Sequence, residues 1–531
     1  MGLWSAYFFA KLLLFGVGYI GFDPWLNLAF AVFTALPPQN ARQRFTKNLI
    51  GIPLAIMLLY HDSWLPPFAR VLEQTHFLKD FTPEYLWELA QRFIDWKLLL
   101  GLVVFSLVYG LARRKLRLST FVFAAILIVL VRPETHLPVE RAMANVTPAP
   151  GARPAPQATI DPRNMRVEAL DATLSEFYAK EQLRQVRFAP LAADDAPYDI
   201  ILMHVCSLSW DDLDFVRETS DPLLRRFDIV FDDFSTAASY SGPAAIRLLR
   251  SSCGQVEQLE LYEPPKRECL LIDGLQRVGF APRWLMNHDG RFGDFFADVR
   301  VHGAFPAEPE TTKDAPVAQH AFDGSPIYDD YAVLSQWWSE RLQDPTTRVV
   351  LYYNSISLHD GNRVASTSEG SASYQARLMQ FSSDIRRFID DLDASGRRAI
   401  LVFIPEHGAA VRGDRRQIPG LREVPTYAIT RVPVGVLLIN ANGDVTDVQQ
   451  HVEAPTSYLA VAELLSRFVA DNPFTKPDFH VSSYTQNLPQ TDPVAQNEHT
   501  VMMQIRNHTM VRMPNGEWTS WDVPTRRASL E

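Results

Sequence analysis

Glu406 and His407 stand side by side just past the strand-like run Ala399-Ile400-Leu401-Val402-Phe403-Ile404. A carboxylate and an imidazole at the end of a buried strand are half of a zinc site, and strand ends in α/β sheets are where active sites gather. Cys206 follows another strand-like run, Asp199 to Val205. Its thiolate would bind zinc at about 2.3 Å. Ser241 opens the helix-like segment Ser241 to Arg250. A helix N-terminus offers free N–H groups to a phosphate, and contact with a metal turns a serine hydroxyl into a nucleophile. Cys206, Ser241, Glu406 and His407 together would make one metal site with an activated hydroxyl. Two plainer readings stay open here: Cys206 as a buried free thiol, and Ser241 as an ordinary helix N-cap.

Other residues offer proton transfer and charge. His359, in Leu358-His359-Asp360-Gly361-Asn362, follows a strand and is a candidate general acid or base. His288, in Asn287-His288-Asp289-Gly290, is a weaker candidate of the same kind. Either histidine can equally be structural. Arg422, in Gly420-Leu421-Arg422-Glu423, would clamp a phosphate or form a surface ion pair.

From Asp199 onward, short apolar strands alternate with amphipathic helices, a pattern that predicts an α/β domain with a mostly parallel sheet. Strands are expected at Asp199–Val205, Arg348–Tyr353, Ala399–Ile404 and Gly435–Ile439. A helix is expected over Tyr374–Ser395, with Leu378, Phe381, Ile385, Phe388 and Leu392 on one face and Gly396 as its stop. Another is expected over Thr456–Val469. Near the C-terminus, Val501–Met513 and Glu517–Val523 flank Pro514-Asn515-Gly516, a hairpin signal.

The first third of the 531 residues is different. Apolar runs occupy Leu3–Phe22, Trp25–Leu36, Leu49–Tyr60, Leu98–Leu111 and Leu118–Val131, the first broken only by Lys11. Several are shorter than the roughly 20 residues a spanning helix wants. Five in succession, flanked by Trp4, Trp25, Trp64, Trp87 and Trp96, predict about five transmembrane helices with aromatic belts over 1–131. A signal peptide would need a small-residue cleavage site after the first run, and none is obvious. Arg42, Arg44 and Lys47, then Arg113, Arg114, Lys115 and Arg117, mark cytoplasmic loops, so an odd count of spans puts the remainder outside the cytoplasm. Pro83 to Trp96 reads as an amphipathic interfacial helix. Residues 132–195 read as a proline-rich linker with one helix around Val167, Leu170, Leu174 and Tyr178, and 196–531 as the catalytic domain. The formal charge of -10 argues against nucleic-acid binding as the main role. The three cysteines fall in the exported part, where Cys253 and Cys269 can close a loop and leave Cys206 unpaired.

These residues resemble a family. Ser239 to Arg250 followed by Cys253-Gly254-Gln255 is similar to the bacterial cellulose phosphoethanolamine transferases, the BcsG family. So are Val205-Cys206-Ser207-Leu208, Phe322-Asp323-Gly324-Ser325-Pro326, Leu358 to Asn362, Pro405-Glu406-His407-Gly408 and Gly413-Asp414-Arg415. The likeness runs in order through nearly the whole chain and is thin only over 132–195. It implies a periplasmic alkaline-phosphatase-like α/β domain on a multi-pass inner-membrane anchor, within the cellulose synthase complex. It implies Ser241 as nucleophile, one zinc held by Cys206, Ser241, Glu406 and His407, and Tyr240, His359 and Arg422 lining the substrate site. Lipid A phosphoethanolamine transferases resemble this plan with an acidic residue in place of Cys206 and threonine in place of Ser241. The implied reaction moves phosphoethanolamine from phosphatidylethanolamine to glucosyl C6 hydroxyls of cellulose, a β-1,4-glucan. A zinc phosphodiesterase or sulfatase-like hydrolase is the alternative on the same fold, and a purely structural subunit of the synthase is the alternative of another class.

Overall fold

The computed structural model describes residues 4–16, 20–63, 81–92, 96–112, 118–131, 161–192, 195–312, 314–364, 373–414, 416–441, 448–476 and 479–522. The chain divides into two compact units, one of Met1–Lys79, Leu86–Asn164 and Gly413–Ile418, the other of Asp80–Tyr85, Met165–Arg412 and Pro419–Glu531.

Helices form over each of the five N-terminal apolar runs: α1 (Trp4–Gly16), α2 (Pro24–Ala35), α3 (Ala41–His61), then α4 (Pro83–Arg92) over the segment read as amphipathic, α5 (Trp96–Ala112) and α6 (Leu118–Val131). Asp23 caps α2 by accepting from the Leu26 N–H at 2.8 Å, and Asn40 caps α3 by accepting from the Gln43 N–H at 2.8 Å. That cap starts α3 earlier than the hydropathy suggests. Arg42, Arg44 and Lys47 therefore lie on the helix rather than in a loop before it. Phe8, Phe30, Ala55, Leu58, Val122 and Ile126 pack together as a small core. Lys11, the charge that interrupts the first run, is buried: its Nζ is 2.8 Å from Asp62 Oδ2 and donates to Asn27 Oδ1 at 2.9 Å. The outer faces stay apolar, with Leu49, Ile52, Ile56, Met57, Leu107 and Ile128 all exposed. Among the described residues no helix is long and apolar enough to cross a membrane.

The second unit is built on a seven-stranded sheet. Its strands in chain order are β1 (Asp199–Val205), β2 (Ile229–Ser235), β3 (Ala281–Met286), β6 (Val349–Ser355), β8 (Ala399–Pro405), β9 (Arg431–Ile439) and β10 (Gln450–Val452), in the spatial order β10-β2-β9-β8-β1-β6-β3. Strands β4 (Val317–His320), β5 (Pro326–Tyr328) and β7 (Arg363–Val364) form a separate small sheet. β1 runs parallel to β6 and β8, β3 parallel to β6, and β10 parallel to β2, whereas β9 is antiparallel to both β2 and β8. The mostly parallel sheet expected from the sequence is present, with β9 reversed. Because β9 reverses twice over, β2 points the same way as β8, β1 and β6, and their C-terminal ends share one edge of the sheet.

Both faces of the sheet are covered, so its central strands read as continuous apolar runs. On β1, Ile200 and Leu202 join one core with α8 (Ser241–Leu249) residues Ala245 and Leu248, and Ile201, Met203 and Val205 join the other with α9 (Tyr374–Ala394) residues Leu378, Phe381 and Ile385. The helix α7 (Val167–Glu181) lays Leu170, Leu174, Phe177 and Tyr178 on an antiparallel sheet of β11 (Val494–Gln496), β12 (Val501–Ile505), β13 (His508–Arg512) and β14 (Trp518–Ser520). The single strand expected over Val501–Met513 is instead two. Arg506 and Asn507, at φ 49 and 68, turn the chain between β12 and β13. The Asn515-Gly516 turn then joins β13 to β14, with Gly516 at φ 84. Cys253 and Cys269 are bridged, and Cys206 is free.

At the edge of the sheet opposite the strand C-termini, Asp199 is fully buried between two arginines. It accepts from Arg341 Nε and Nη2 at 3.0 and 2.9 Å, from Arg397 Nε at 2.6 Å and from the Val349 N–H at 2.8 Å. The side chain of Arg341 is itself 1% exposed. Asp199→Ala would strand that guanidinium without a counter-charge, so we expect this unit to lose about 3–5 kcal/mol. Urea unfolding checks this, and a loss below about 1 kcal/mol would mean that the pair is solvated.

Candidate functional site

Strand register brings the first ligands together. Val205 of β1 pairs with Pro405 of β8 on one side and Ser355 of β6 on the other. The next residues, Cys206 and Glu406, therefore leave adjacent strands side by side. The ladder continues one step further, with the Glu406 N–H donating to Val205 O at 2.8 Å and the Cys206 N–H donating to Ser355 O at 2.8 Å. β2 ends at the same edge, and the loop after it delivers Ser241 as the first residue of α8.

Side-chain distances within the group are short. Cys206 Sγ is 3.4 Å from Ser241 Oγ and 3.8 Å from His407 Nε2. Ser241 Oγ is 3.4 Å from His407 Nε2, and Glu406 Oε2 is 3.9 Å from the same nitrogen. One ligand atom from each of Cys206, Glu406 and His407 lies within 4.8 Å of the others, and all three residues are buried.

Burial shifts the titration of every ionisable member of this cluster. Glu406 Oε1 accepts from Asn354 Nδ2 at 2.6 Å, but among the described residues buried Oε2 has no hydrogen-bond partner. Burial pushes Glu406 up to about 7. Burial, reinforced by the Glu406 charge, pushes the Cys206 thiol up to about 12, and burial pushes His407 well down. An unpaired buried carboxylate oxygen is costly, and three further donors converge on the same spot. Sulfur, nitrogen and oxygen donors around one point fit a single zinc ion. His407 has the matching tautomer: the Gly408 carbonyl can only accept, so Nδ1–H donates to it at 2.9 Å and the Nε2 lone pair faces Ser241 and Cys206.

Loading such a site must release protons. At about pH 7.5 the thiol of Cys206 is still protonated and Glu406 is mostly ionised, so we expect close to one proton from the thiol per zinc bound, plus that of any coordinated hydroxyl. Apparent affinity should then rise about tenfold per pH unit above 7 for the thiol proton alone, about a hundredfold if a coordinated hydroxyl also loses its proton, and more steeply below 7 as Glu406 joins. Calorimetric titration in buffers of differing ionisation enthalpy reads the proton count. Binding independent of pH would exclude Cys206 as a ligand.

The supports explain why these residues hold their places. Asp212 accepts from the Ala409 and Val411 N–H groups at 2.7 and 3.1 Å, which fixes the chain just after His407. Gly408 must lack a side chain, since a Cβ there would lie 2.6 Å from Ser209 Oγ. Ser241 is not the helix cap that the sequence suggested. Tyr240 occupies the N-cap position with no side-chain capping bond, and Ser241 is the first helical residue. A cap would have tied the serine oxygen to the backbone; one residue further on, the hydroxyl is free to face the other ligands.

The remaining candidates surround this group. Arg422 is 8% exposed and makes no ion pair among the described residues, so it is not a surface pair. Its Nη1 donates to Ser207 Oγ at 3.2 Å and lies 3.2 Å from His407 Nδ1, while its buried Nε has no acceptor among the described residues. The Tyr240 ring lies 5.5 Å from the guanidinium carbon, and its hydroxyl donates to Glu423 Oε1 at 2.7 Å. His359 donates from Nδ1 to Asp360 O at 2.7 Å and rests its ring against Phe322, with centroids 5.2 Å apart. Burial and the Arg422 charge push it down to about 4, so at neutral pH it carries a lone pair on Nε2. His288 has both nitrogens engaged: Nδ1 accepts from the Gly290 N–H at 3.1 Å and Nε2–H donates to Asn354 Oδ1 at 2.8 Å. It orients the asparagine that orients Glu406. Asn354 and Ser207 were not singled out from the sequence; a lone asparagine in the buried run Val349 to Asn354 was the available signal for the former.

Comparison with known proteins identifies the family of the chain. The family models for the cellulose biosynthesis protein BcsG N-terminal and C-terminal domains match residues 4–131 and 155–518. The chain is 36% identical over 540 residues to the cellulose biosynthesis protein BcsG of Escherichia coli (strain K12), covering 98% of this chain and 96% of that protein. It is likewise 36% identical over 535 residues to the Salmonella typhimurium protein of the same name, with 98% and 96% covered. Among solved structures it is similar to a protein in the alkaline phosphatase superfamily from Vibrio parahaemolyticus, with TM-score 0.46 and 14% identity over 66% of this chain and 87% of that one.

Proposed function

We propose that this chain, which belongs to the cellulose biosynthesis protein BcsG family, is a zinc-dependent phosphoethanolamine transferase that modifies cellulose from a phospholipid donor. The observation that carries this reading is the placement of the Ser241 hydroxyl within 3.4 Å of both Cys206 Sγ and His407 Nε2, at the first residue of a helix. Cys206, Ser241, Glu406 and His407 would hold the zinc. When bound, the ion supplies Lewis-acid stabilisation of charge on oxygen and lowers the pKa of a serine hydroxyl.

The residues of the chain divide the remaining work. Ser241 Oγ attacks the phosphorus of phosphatidylethanolamine, the bond to the diacylglycerol oxygen breaks, and diacylglycerol leaves with the serine proton. A phosphoethanolamine–Ser241 ester remains. A glucosyl C6 hydroxyl then attacks the same phosphorus, its proton passes by way of His359 Nε2, and Ser241 Oγ leaves and is reprotonated. The early N–H groups of α8 and the guanidinium of Arg422 face the phosphoryl oxygens. Tyr240 holds Arg422 in line. The apolar exterior of the N-terminal helices suits an inner-membrane anchor, which keeps a periplasmic site beside its lipid donor and among the subunits of the cellulose synthase complex.

Phosphorus NMR of the glucan tests this proposal. With full-length protein, zinc, phosphatidylethanolamine and β-1,4-glucan, a phosphodiester at glucosyl C6 is expected. Release of free phosphoethanolamine at the same rate with or without glucan would instead make the protein a hydrolase.

A further inference from the structure

A carboxylate lies against the helix that carries Ser241, and nothing in the reading above uses it. The chain makes a short π-helical turn at Asp298–His302, a distortion common at functional sites. This turn packs on α8 at very close range. A Cβ at Gly303 would lie 2.4 Å from Leu249 Cδ1, and a Cβ at Gly242 would lie 1.9 Å from Asp298 Oδ2. The carboxylate of Asp298 is therefore pressed against the backbone of the residue that follows Ser241.

Asp298 is 8% exposed, yet among the described residues no hydrogen-bond donor and no cation partners it. Its acidic neighbour Asp294 adds negative charge, and burial together with Asp294 pushes Asp298 up to about 7. Tyr262 stands close enough to feel both Asp298 and Glu498, and its ring meets His302 edge-on at 5.0 Å. An uncompensated anion beside a phosphate site repels phosphate. The arrangement makes chemical sense if the phosphate arrives with its own cation. In phosphoethanolamine a primary ammonium follows the phosphate by two carbons.

We propose that Asp298 is the specificity-determining group for that ammonium, accepting its N–H bonds while the attached phosphoryl group faces Ser241. This rests on the phosphoethanolamine reading and deepens it. It assigns discrimination between zwitterionic and purely anionic or neutral headgroups to one carboxylate. Gly242 has the complementary part of leaving room for Asp298 Oδ2.

The test uses full-length, zinc-loaded protein and two small probes, O-phosphoethanolamine and propyl phosphate, which share the phosphate and differ in the ammonium. By calorimetry the wild type should bind the first at least ~30-fold more tightly. Asp298→Asn should bring the ratio to within about threefold, with no fall in melting temperature, because it removes a charge that burial and Asp294 already disfavour. Gly242→Ala, which places a methyl where Oδ2 now lies, should lower the ratio in the same direction. A ratio unchanged in Asp298→Asn overturns the proposal, as does an equal loss for both probes with a lowered melting temperature, which is the mark of a structural carboxylate. An ammonium preference that persists in a protein unable to transfer would uphold the Asp298 assignment and sink the transferase reading instead.

Discussion

Ser241→Ala is expected to reduce phosphoethanolamine transfer by at least ~10⁴-fold, with the fold intact. Removing a covalent nucleophile leaves only binding and electrostatic effects, and losses of this order follow in enzymes that work through such groups. The structural cost should be small. Ser241 is the first residue of α8, it makes no capping bond, and its hydroxyl faces Cys206 and His407. We expect melting temperatures within a few degrees of each other for the two zinc-free proteins. Transfer at more than about a hundredth of the wild-type rate would remove Ser241 from the nucleophile role.

The second large effect belongs to Cys206. Cys206→Ala deletes the sulfur ligand from a buried cluster and leaves Glu406 Oε2 and His407 Nε2 converging on a gap. Zinc affinity should fall on the order of 10³-fold, since the thiolate is the strongest donor present. Activity should fall with metal content. The stabilisation that zinc confers should go as well: a ligand at a thousand times its dissociation constant adds about 4 kcal/mol to the wild type. Metal content after dialysis and melting curves with and without zinc read the two losses separately. Full zinc occupancy in Cys206→Ala would show that the thiol is a packed hydrophobe beside the site and not a ligand.

Much of this site was legible because its ligands sit at ends of strands that announce themselves. Ile200 to Val205, broken only by His204, and Ala399 to Ile404 are buried on both faces, so they appear as apolar runs, and the residues just beyond them are at once candidates. β2 was less visible. Its run Ile229 to Ser235 carries Asp232 and Asp233, which are only partly buried, so it lacks the apolar continuity of its neighbours. β9 was expected to begin at Gly435 but starts at Arg431 and passes through Pro433. A proline argues against a central strand. It is tolerated here because the register shifts between Phe231 and Phe234 of β2, opposite Val434 and Val432, so Pro433 falls at the irregularity.

The parts of the site that long-range packing creates were not legible. Asn354 matters because His288 donates to it and it donates to Glu406, a relay among three distant residues. Asp298 matters only because the π-helical turn folds it onto Gly242. No local pattern marks Asp298, and the lone asparagine ending the run Val349 to Asn354 is the one local sign of the other. Helices lie over the N-terminal runs, although α3 begins at Ala41, well before the apolar run that starts at Leu49. Lys11, the one charge within the first of them, finds its counter-ion in Asp62 at the C-terminal end of α3.

The most direct test of the central claim is the intact mass of the full-length, zinc-loaded protein in phosphatidylethanolamine vesicles without glucan. The account predicts a single phosphoethanolamine-sized increment that maps to Ser241, is absent in Ser241→Ala, and disappears when β-1,4-glucan is added. Diacylglycerol release with no increment on the protein, or an increment that survives in Ser241→Ala, would contradict it.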